Sequence, residues 1–421
     1  MASELDLTTS VTFHFMLAQS THPSLARSSN NTPNLGLIRQ ALNLPMQGTC
    51  STCGKSHQFQ LPLSDLNHST DKSKWYVEAD PSIAPSLEEI DSLGGDQKYF
   101  HFYGINIKSR TFGKTLQETT ADTDTSSHVH TTSMKTEIAA VLKQLQTRLN
   151  KLFQGSQAWL FPSTNSGIDV NFFNGKTGFP VTTIKKVSWI VVAWQRLFDS
   201  LHDTHRIAEK PLFEESLDVH LDAWLHQIKK APGLRSIAEL LKGVKAAKIL
   251  DIQQVDSNGQ ITFSQQASTF DSSAVLAWID VLTKIILRAH YAEGTFFAWQ
   301  FLGDGEYRAP TYSAWQMLKD LQVKKSTIKY YQSRKKDAVS QLDDDLAAAM
   351  ESSFRGDLLG PLALHVANAG LTTSNYGRIE DTISHRFRNG GYGRYNKAYI
   401  EAVEAASAPT AHSKKSSWVL V

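Results

Sequence analysis

Cysteine is almost missing from this chain. Two among 421 residues are too few for a disulfide framework and in keeping with a reducing compartment. An excess of one charge is missing as well. Lys plus Arg number 43 against 41 acidic residues, a formal net charge of +2, whereas a protein that coats nucleic acid over its whole surface carries far more. Any basic surface is therefore local. Long apolar runs are absent: the longest, Ala274–Leu287, is broken by Asp280 and Lys284 and is too short to span a bilayer. The first twenty residues hold neither Lys nor Arg, and their apolar stretch Val11–Ala18 is interrupted by His14, which excludes a signal peptide. Ala2 excludes myristoylation of a glycine. The expectation is a soluble intracellular protein with no membrane partner.

Phosphate-binding loops are absent by a narrow margin. Gly54-Lys55-Ser56, Gly113-Lys114-Thr115 and Gly175-Lys176-Thr177 each end like one. That motif also needs a glycine five residues before its second glycine, so that backbone can curl around phosphates. Those positions hold Thr49, Lys108 and Val170. Neither a Gly-x-Ser-x-Gly elbow nor a dinucleotide glycine pattern occurs. No catalytic activity, catalytic residue or cofactor is expected.

What is present is ordinary globular composition, 41% hydrophobic and 20% charged, with 10% aromatic residues including nine Trp. Large flat side chains therefore carry much of the packing or lie at interfaces. Residues 1–115 read as strand-rich. Val11, Phe13, Phe15 and Leu17 alternate with Thr12, His14 and Met16, and Tyr103, Ile105 and Ile107 alternate likewise. A short helix fits Leu35–Leu44. Residues 116–133 are polar and read as an exposed loop or linker.

After that the period becomes helical, over a domain spanning 134–408 and a tail spanning 409–421. One stripe comprises Ile138, Val141, Leu142, Leu145, Leu149 and Leu152. A second runs from Ile184 to Phe198, a third from Leu217 to Ile228. A hairpin fits Val255–Phe263 around Asn258-Gly259. The segment Val275–Ile286, apolar nearly all round, fits a central helix, and further helices fit Tyr312–Leu321, Thr327–Met350 and Asn396–Ala406. The fold class expected is mainly α with a β-containing N-terminal region (α+β), a helix-rich, shell-type architecture with a protruding polar loop region.

Cys50-Ser51-Thr52-Cys53 resembles the first half of a zinc finger, but the histidines fall wrongly: His57 is early, His68 slightly late, and no second histidine follows at the right spacing. Zinc held by Cys50, Cys53, His57 and His68 stays open as an alternative to two plain thiols in a turn, and no metal is expected. His202 and His205, with Asp203 between them and His220 beyond, read as solvated rather than ligating, because a zinc-protease glutamate is missing. Asp343-Asp344-Asp345 reads as a solvated helix face.

Two basic stretches carry more. Lys324, Lys325, Lys329, Arg334, Lys335 and Lys336 lie close together with no acidic residue among them, and Tyr330 and Tyr331 sit inside the run. Cations neutralise phosphates while aromatic faces stack on bases, so this run is the candidate contact for non-specific, single-stranded RNA. The second stretch contains Arg386, Phe387, Arg388, Tyr392, Arg394 and Tyr395 among glycines, a mixture that suits an interface between subunits.

In its size, helical stretches and polar loop the chain resembles the capsid proteins of small double-stranded RNA viruses, the partitivirus family. The resemblance covers the whole chain and includes no diagnostic motif. It implies a structural protein that self-assembles, through dimers, into a closed icosahedral shell around an RNA genome, located in the virion and the host cytoplasm. Arg27 is the only cation among the first thirty residues, so such a shell would not hold its genome by a basic N-terminal arm. Two rival readings come from other classes. One is an RNA-binding nucleoprotein or effector subunit gripping single strands through the basic runs. The other is an enzyme whose site is assembled from residues far apart in sequence.

Overall fold

The computed structural model describes residues 4–20, 33–50, 53–65, 71–85, 100–113, 132–149, 158–163, 166–193, 198, 201–202, 227–243, 250–252, 259–291 and 314–334. The chain forms two compact units, one comprising residues 3–179 and 251–278, the other residues 1–2, 180–250 and 279–421.

The first unit is built around β1 (Leu7–Ser20), which pairs antiparallel on one side with β5 (Phe100–Lys108) along most of its length. Its other side is shared. The first half pairs with β7 (Gly167–Asn174) and the second half with β6 (Ala158–Phe161). β4 (Tyr76–Ala79) extends the sheet beyond β5, while β9 (Gln260–Ala267) and β8 (Leu250–Asp251) extend it beyond β7, giving seven strands. A separate hairpin joins β2 (Met46–Thr49) to β3 (Ser56–Phe59).

Strand residues alternate between faces, so one register assigns every side chain. Leu7, Thr9, Val11, Phe13, Phe15 and Leu17 of β1, with Ile105, Ile107, Ile168, Val170, Phe172, Ile261 and Phe263, are buried on one face. Phe13 stacks on Trp75, and Phe172 meets Phe263 edge to face. Among the described residues two helices lie wholly within this unit, α1 (Leu35–Leu42) packed on β4, and α2 (Met134–Leu149) packed on α1, β2 and β6. Ser133 caps α2, its Oγ accepting from the Thr136 amide at 3.2 Å. One turn in, Glu137 is fully buried and accepts from Arg110 Nη2 (2.8 Å) and Nε, Trp75 Nε1 (3.1 Å) and Thr132 Oγ1 (2.8 Å).

The second unit contains α3 (Val181–Ala193), α4 (Leu234–Gly243), α6 (Ala314–Asp320) and a helix over residues 325–334, here α7. α5 (Ser272–Tyr291) contributes residues to both units. Buried Asp280 on α5 receives the Thr327 hydroxyl (2.7 Å) and the Lys324 amide (3.2 Å), fixing the start of α7. Among the described residues no helix is long and apolar enough to cross a membrane.

A mainly α, helix-rich, shell-type layout is therefore not what the chain adopts. About 31% of the described residues are strand and 42% helix, with one large antiparallel sheet. The expectation failed at β6 and β7, which lie inside the stretch read as helical, whereas β9 overlaps the hairpin expected over Val255–Phe263. Ala158–Phe161 is a continuous apolar run with no period to read, and Ile168, Val170 and Phe172 alternate over too few residues to stand out between two helical stripes. β9 begins directly after Gly259, whose φ is +66°, whereas Val255–Asn258 of the expected hairpin lie outside the described residues. Of the loop 116–133, residues 116–131 lie outside the described residues, whereas Thr132 is buried beside Glu137.

Candidate functional site

The second face of the sheet carries the even-numbered residues of β1, and it changes character along its length. At one end Met16, Ala18 and Phe161 form an apolar cluster, against which Ile83, Phe100, Phe102 and Trp159 pack half-buried. At the other end the same face is polar. Here Glu78 of β4, Asn106 of β5 and His14 of β1 lie in one cross-strand row, and Tyr76, Lys108, Thr12 and Asp169 in the next.

The two rows meet at His14. Its Nδ1 lies 2.6 Å from Asn106 Oδ1, its Nε2 3.0 Å from Asp169 Oδ2, and Asp80 Oδ2 stands 3.9 Å from Nδ1. Asn106 is oriented by its other end, since its Nδ2 donates to Asp80 Oδ2 at 2.9 Å. Oδ1 of Asn106 is thereby left as an acceptor, and both ring nitrogens of His14 face acceptors. Only the charged ring can donate to both, so these surroundings favour the protonated form. Burial opposes that charge, but the hydrogen bond and negative charge of Asp169, helped by Asn106 and Asp80, outweigh it and hold the His14 pKa above its ordinary value. Burial likewise pushes Asp80 up, but the Ser82 hydroxyl and amide, Asn106 and His14 together hold it below the usual carboxylate range.

The side chains are sheltered without being sealed: His14 is 17%, Asp80 19% and Asp169 29% exposed. Three carboxylates (Glu78, Asp80 and Asp169) are thus gathered with two cations, His14 and Lys108, the latter 5.5 Å from the Tyr76 ring centre. The array sets three carboxylates beside two cations and borders an apolar, aromatic end. It fits a donor-rich cationic group attached to an apolar body.

The residues singled out from sequence lie elsewhere. Lys324, Lys325 and Lys329 are exposed at α7, and Tyr330 is half-buried. Lys324 Nζ is 3.5 Å from Asp280 Oδ1. Tyr331 is buried, which pushes its hydroxyl pKa up and takes its ring out of reach of a base. Lys335, Lys336, Arg386, Phe387, Arg388, Tyr392, Arg394 and Tyr395 lie outside the described residues, as do Asp203, His205, His220 and Asp343–Asp345. His202 is buried rather than solvated.

Cys53 Sγ is 3.1 Å from His57 Nε2, while His68 lies outside the described residues. Among the described residues no group of three or more His, Cys, Asp or Glu is arranged to hold a metal ion. Two of the false phosphate-loop endings have a plain reason: Gly54 and Gly175 close turns at φ of +69° and +48°.

Sequence reading missed the polar face because its members are far apart in the chain, His14 from Asn106 by 92 residues and from Asp169 by 155. One signal was available, an ionisable ring on the outward phase of an otherwise apolar strand. Comparison of the chain with family models, curated proteins and solved structures found no match.

Proposed function

We propose that the β-rich unit binds a small cationic, donor-rich molecule with an apolar body on the mixed face of its sheet. The observation that carries this is the gathering of three carboxylates, Glu78, Asp80 and Asp169, around His14 and Asn106 at the edge of an aromatic cluster. A ligand ammonium would replace water around Asp80, Asp169 and Glu78, and its apolar part would lie towards Phe100, Phe102 and Trp159. Charged hydrogen bonds of this kind give orientation, and burial of the apolar part gives affinity.

Calorimetric titration with an aromatic amine such as tryptamine tests this reading, with its neutral alcohol analogue as control. The amine should bind, the alcohol should bind much more weakly, and Asp169→Asn should weaken the amine by about tenfold or more, the scale of a charge-assisted hydrogen bond. Equal binding of amine and alcohol, or no amine binding, would overturn it.

A second reading keeps the expectation of RNA contact, as a shell or as a nucleoprotein. It is favoured by the exposure of Lys324, Lys325 and Lys329 on one short stretch. Enclosure within a closed shell draws its support from aromatic content, since the helix-rich layout behind it is replaced by a sheet. Replacing Lys325 and Lys329 with Ala should flatten the salt dependence of RNA affinity. Unchanged binding would remove this run as the contact, and a monomer in light scattering would count against a shell.

A further inference from the structure

The hairpin β2–β3 ends in a knuckle that places two thiols and an imidazole together. The Cys50 amide donates to the Lys55 carbonyl at 2.8 Å, and the Gly54 amide donates back to the Cys50 carbonyl at 3.0 Å. Gly54 supplies the positive φ that this reversal needs. Cys50 and Cys53 thereby lie within one backbone reversal, three residues apart in the chain. Both are present as thiols, Cys50 buried and Cys53 half-exposed. His57, the second residue of β3, turns its Nε2 to within 3.1 Å of the Cys53 sulfur. Cys50 is also tied by an isolated bridge to Thr132.

A half-exposed thiol with an imidazole nitrogen at hydrogen-bond distance is the arrangement of an activated sulfur nucleophile, and a second thiol three residues away is placed to resolve what it forms. We propose that Cys53, His57 and Cys50 form a thiol–disulfide exchange site whose co-substrate is a small-molecule disulfide. Cys53 gives its proton to His57 Nε2, and the thiolate attacks one sulfur of the small disulfide. That S–S bond breaks, one small thiol leaves with the bonding electrons and a proton, and a mixed disulfide forms on Cys53. Cys50 then loses its proton and attacks the Cys53 sulfur, the second small thiol leaves, and a Cys50–Cys53 bond closes the turn. Two protein thiols lose two electrons and two protons, and one small disulfide becomes two thiols. Reduction by excess small thiol runs the same steps backwards.

The pair of thiols is distinct from the polar sheet face, so this inference stands or falls separately from the proposed ligand. The full-length protein is alkylated with iodoacetamide at neutral pH and the modified cysteine located by mass spectrometry. It is also incubated with oxidised glutathione. Cys53 should react first, and His57→Gln, which keeps a hydrogen-bonding side chain but no base, should slow it by about tenfold or more, the usual lower range for a positioned base. With oxidised glutathione the wild-type chain should finish as an internal disulfide, two hydrogens lighter, whereas Cys50→Ser should retain a glutathione adduct on Cys53. Equal alkylation rates in wild type and His57→Gln would overturn the proposal. So would a stable adduct on the wild-type chain, or thiols that react only after a chelator removes one bound zinc per chain.

Discussion

Glu137 has no exposed surface, yet it carries four hydrogen-bond donors' worth of partners in Arg110, Trp75 and Thr132. Desolvating a carboxylate and a guanidinium is expensive, and only this degree of satisfaction offsets it. Glu137→Ala leaves Arg110 buried and uncompensated, and should lower stability by about 3–5 kcal/mol in urea melts. A loss below about 1 kcal/mol, the range of an exposed pair, would show that water reaches Arg110. His14 gives a prediction of opposite character. Its pKa is raised in the folded chain above the ordinary 6.5, so its contribution is complete below that value and is lost as pH rises through the folded value. Asp80, lowered from 3.8, contributes above that value and loses its share as pH falls through the lower folded one. Stability should therefore fall from pH 6 towards pH 9 in the wild type and change less in His14→Gln, as paired urea melts at the two pH values would report.

At the scale of elements, the sheet edge and the polar row are coupled through one glycine. Gly104 of β5 lies beside the backbone of Asp80 and Ile83, and a Cβ there would collide with both. Gly104→Ala should push the Asp80 segment away from β5 and remove part of what holds His14 charged. The His14 ring, followed by NMR titration, should then lose its proton at lower pH than in the wild type. An unmoved titration would mean that Asp169 alone fixes the charge.

Much of the element inventory was legible beforehand. Val11, Phe13, Phe15 and Leu17 of β1 and Ile138, Val141, Leu142, Leu145 and Leu149 of the first stripe proved buried, Leu152 lying outside the described residues, because burial on one face leaves a period in the sequence. β6 and β7 left less trace, the first having no alternation and the second only a short one. The polar row left none, since cross-strand neighbours are set by register and carry no local signature. Tyr331 shows the reverse failure: its neighbourhood of lysines suggested an exposed ring, but the helix phase of α7 turns it inward.

At the scale of the molecule, the β-rich unit is discontinuous. β9 covers the open side of β7 only after the chain has passed through residues 180–250. A chain stopped after residue 249 would present β7, with Phe172 and Phe173, as an uncovered edge, and such edges template aggregation. That truncated protein should be insoluble or form large species in light scattering under conditions where the full chain does not. A well-behaved truncated form would show that β9 is dispensable to the sheet.

The central position of β1 has a consequence during synthesis. The fourteen-residue strand is made first, but it needs β5 on one side and β6 and β7 on the other, and the last of these ends at Asn174. At ordinary ribosomal rates some 150 further residues take roughly ten to thirty seconds. Until β5 is made, Phe13, Phe15 and Leu17 have no strand to pair with, and until β7 is complete the other side of β1 stays open along Leu7–Phe13. The exposure of these apolar residues on the nascent chain is thus set by the order of synthesis and not by the stability of the finished sheet.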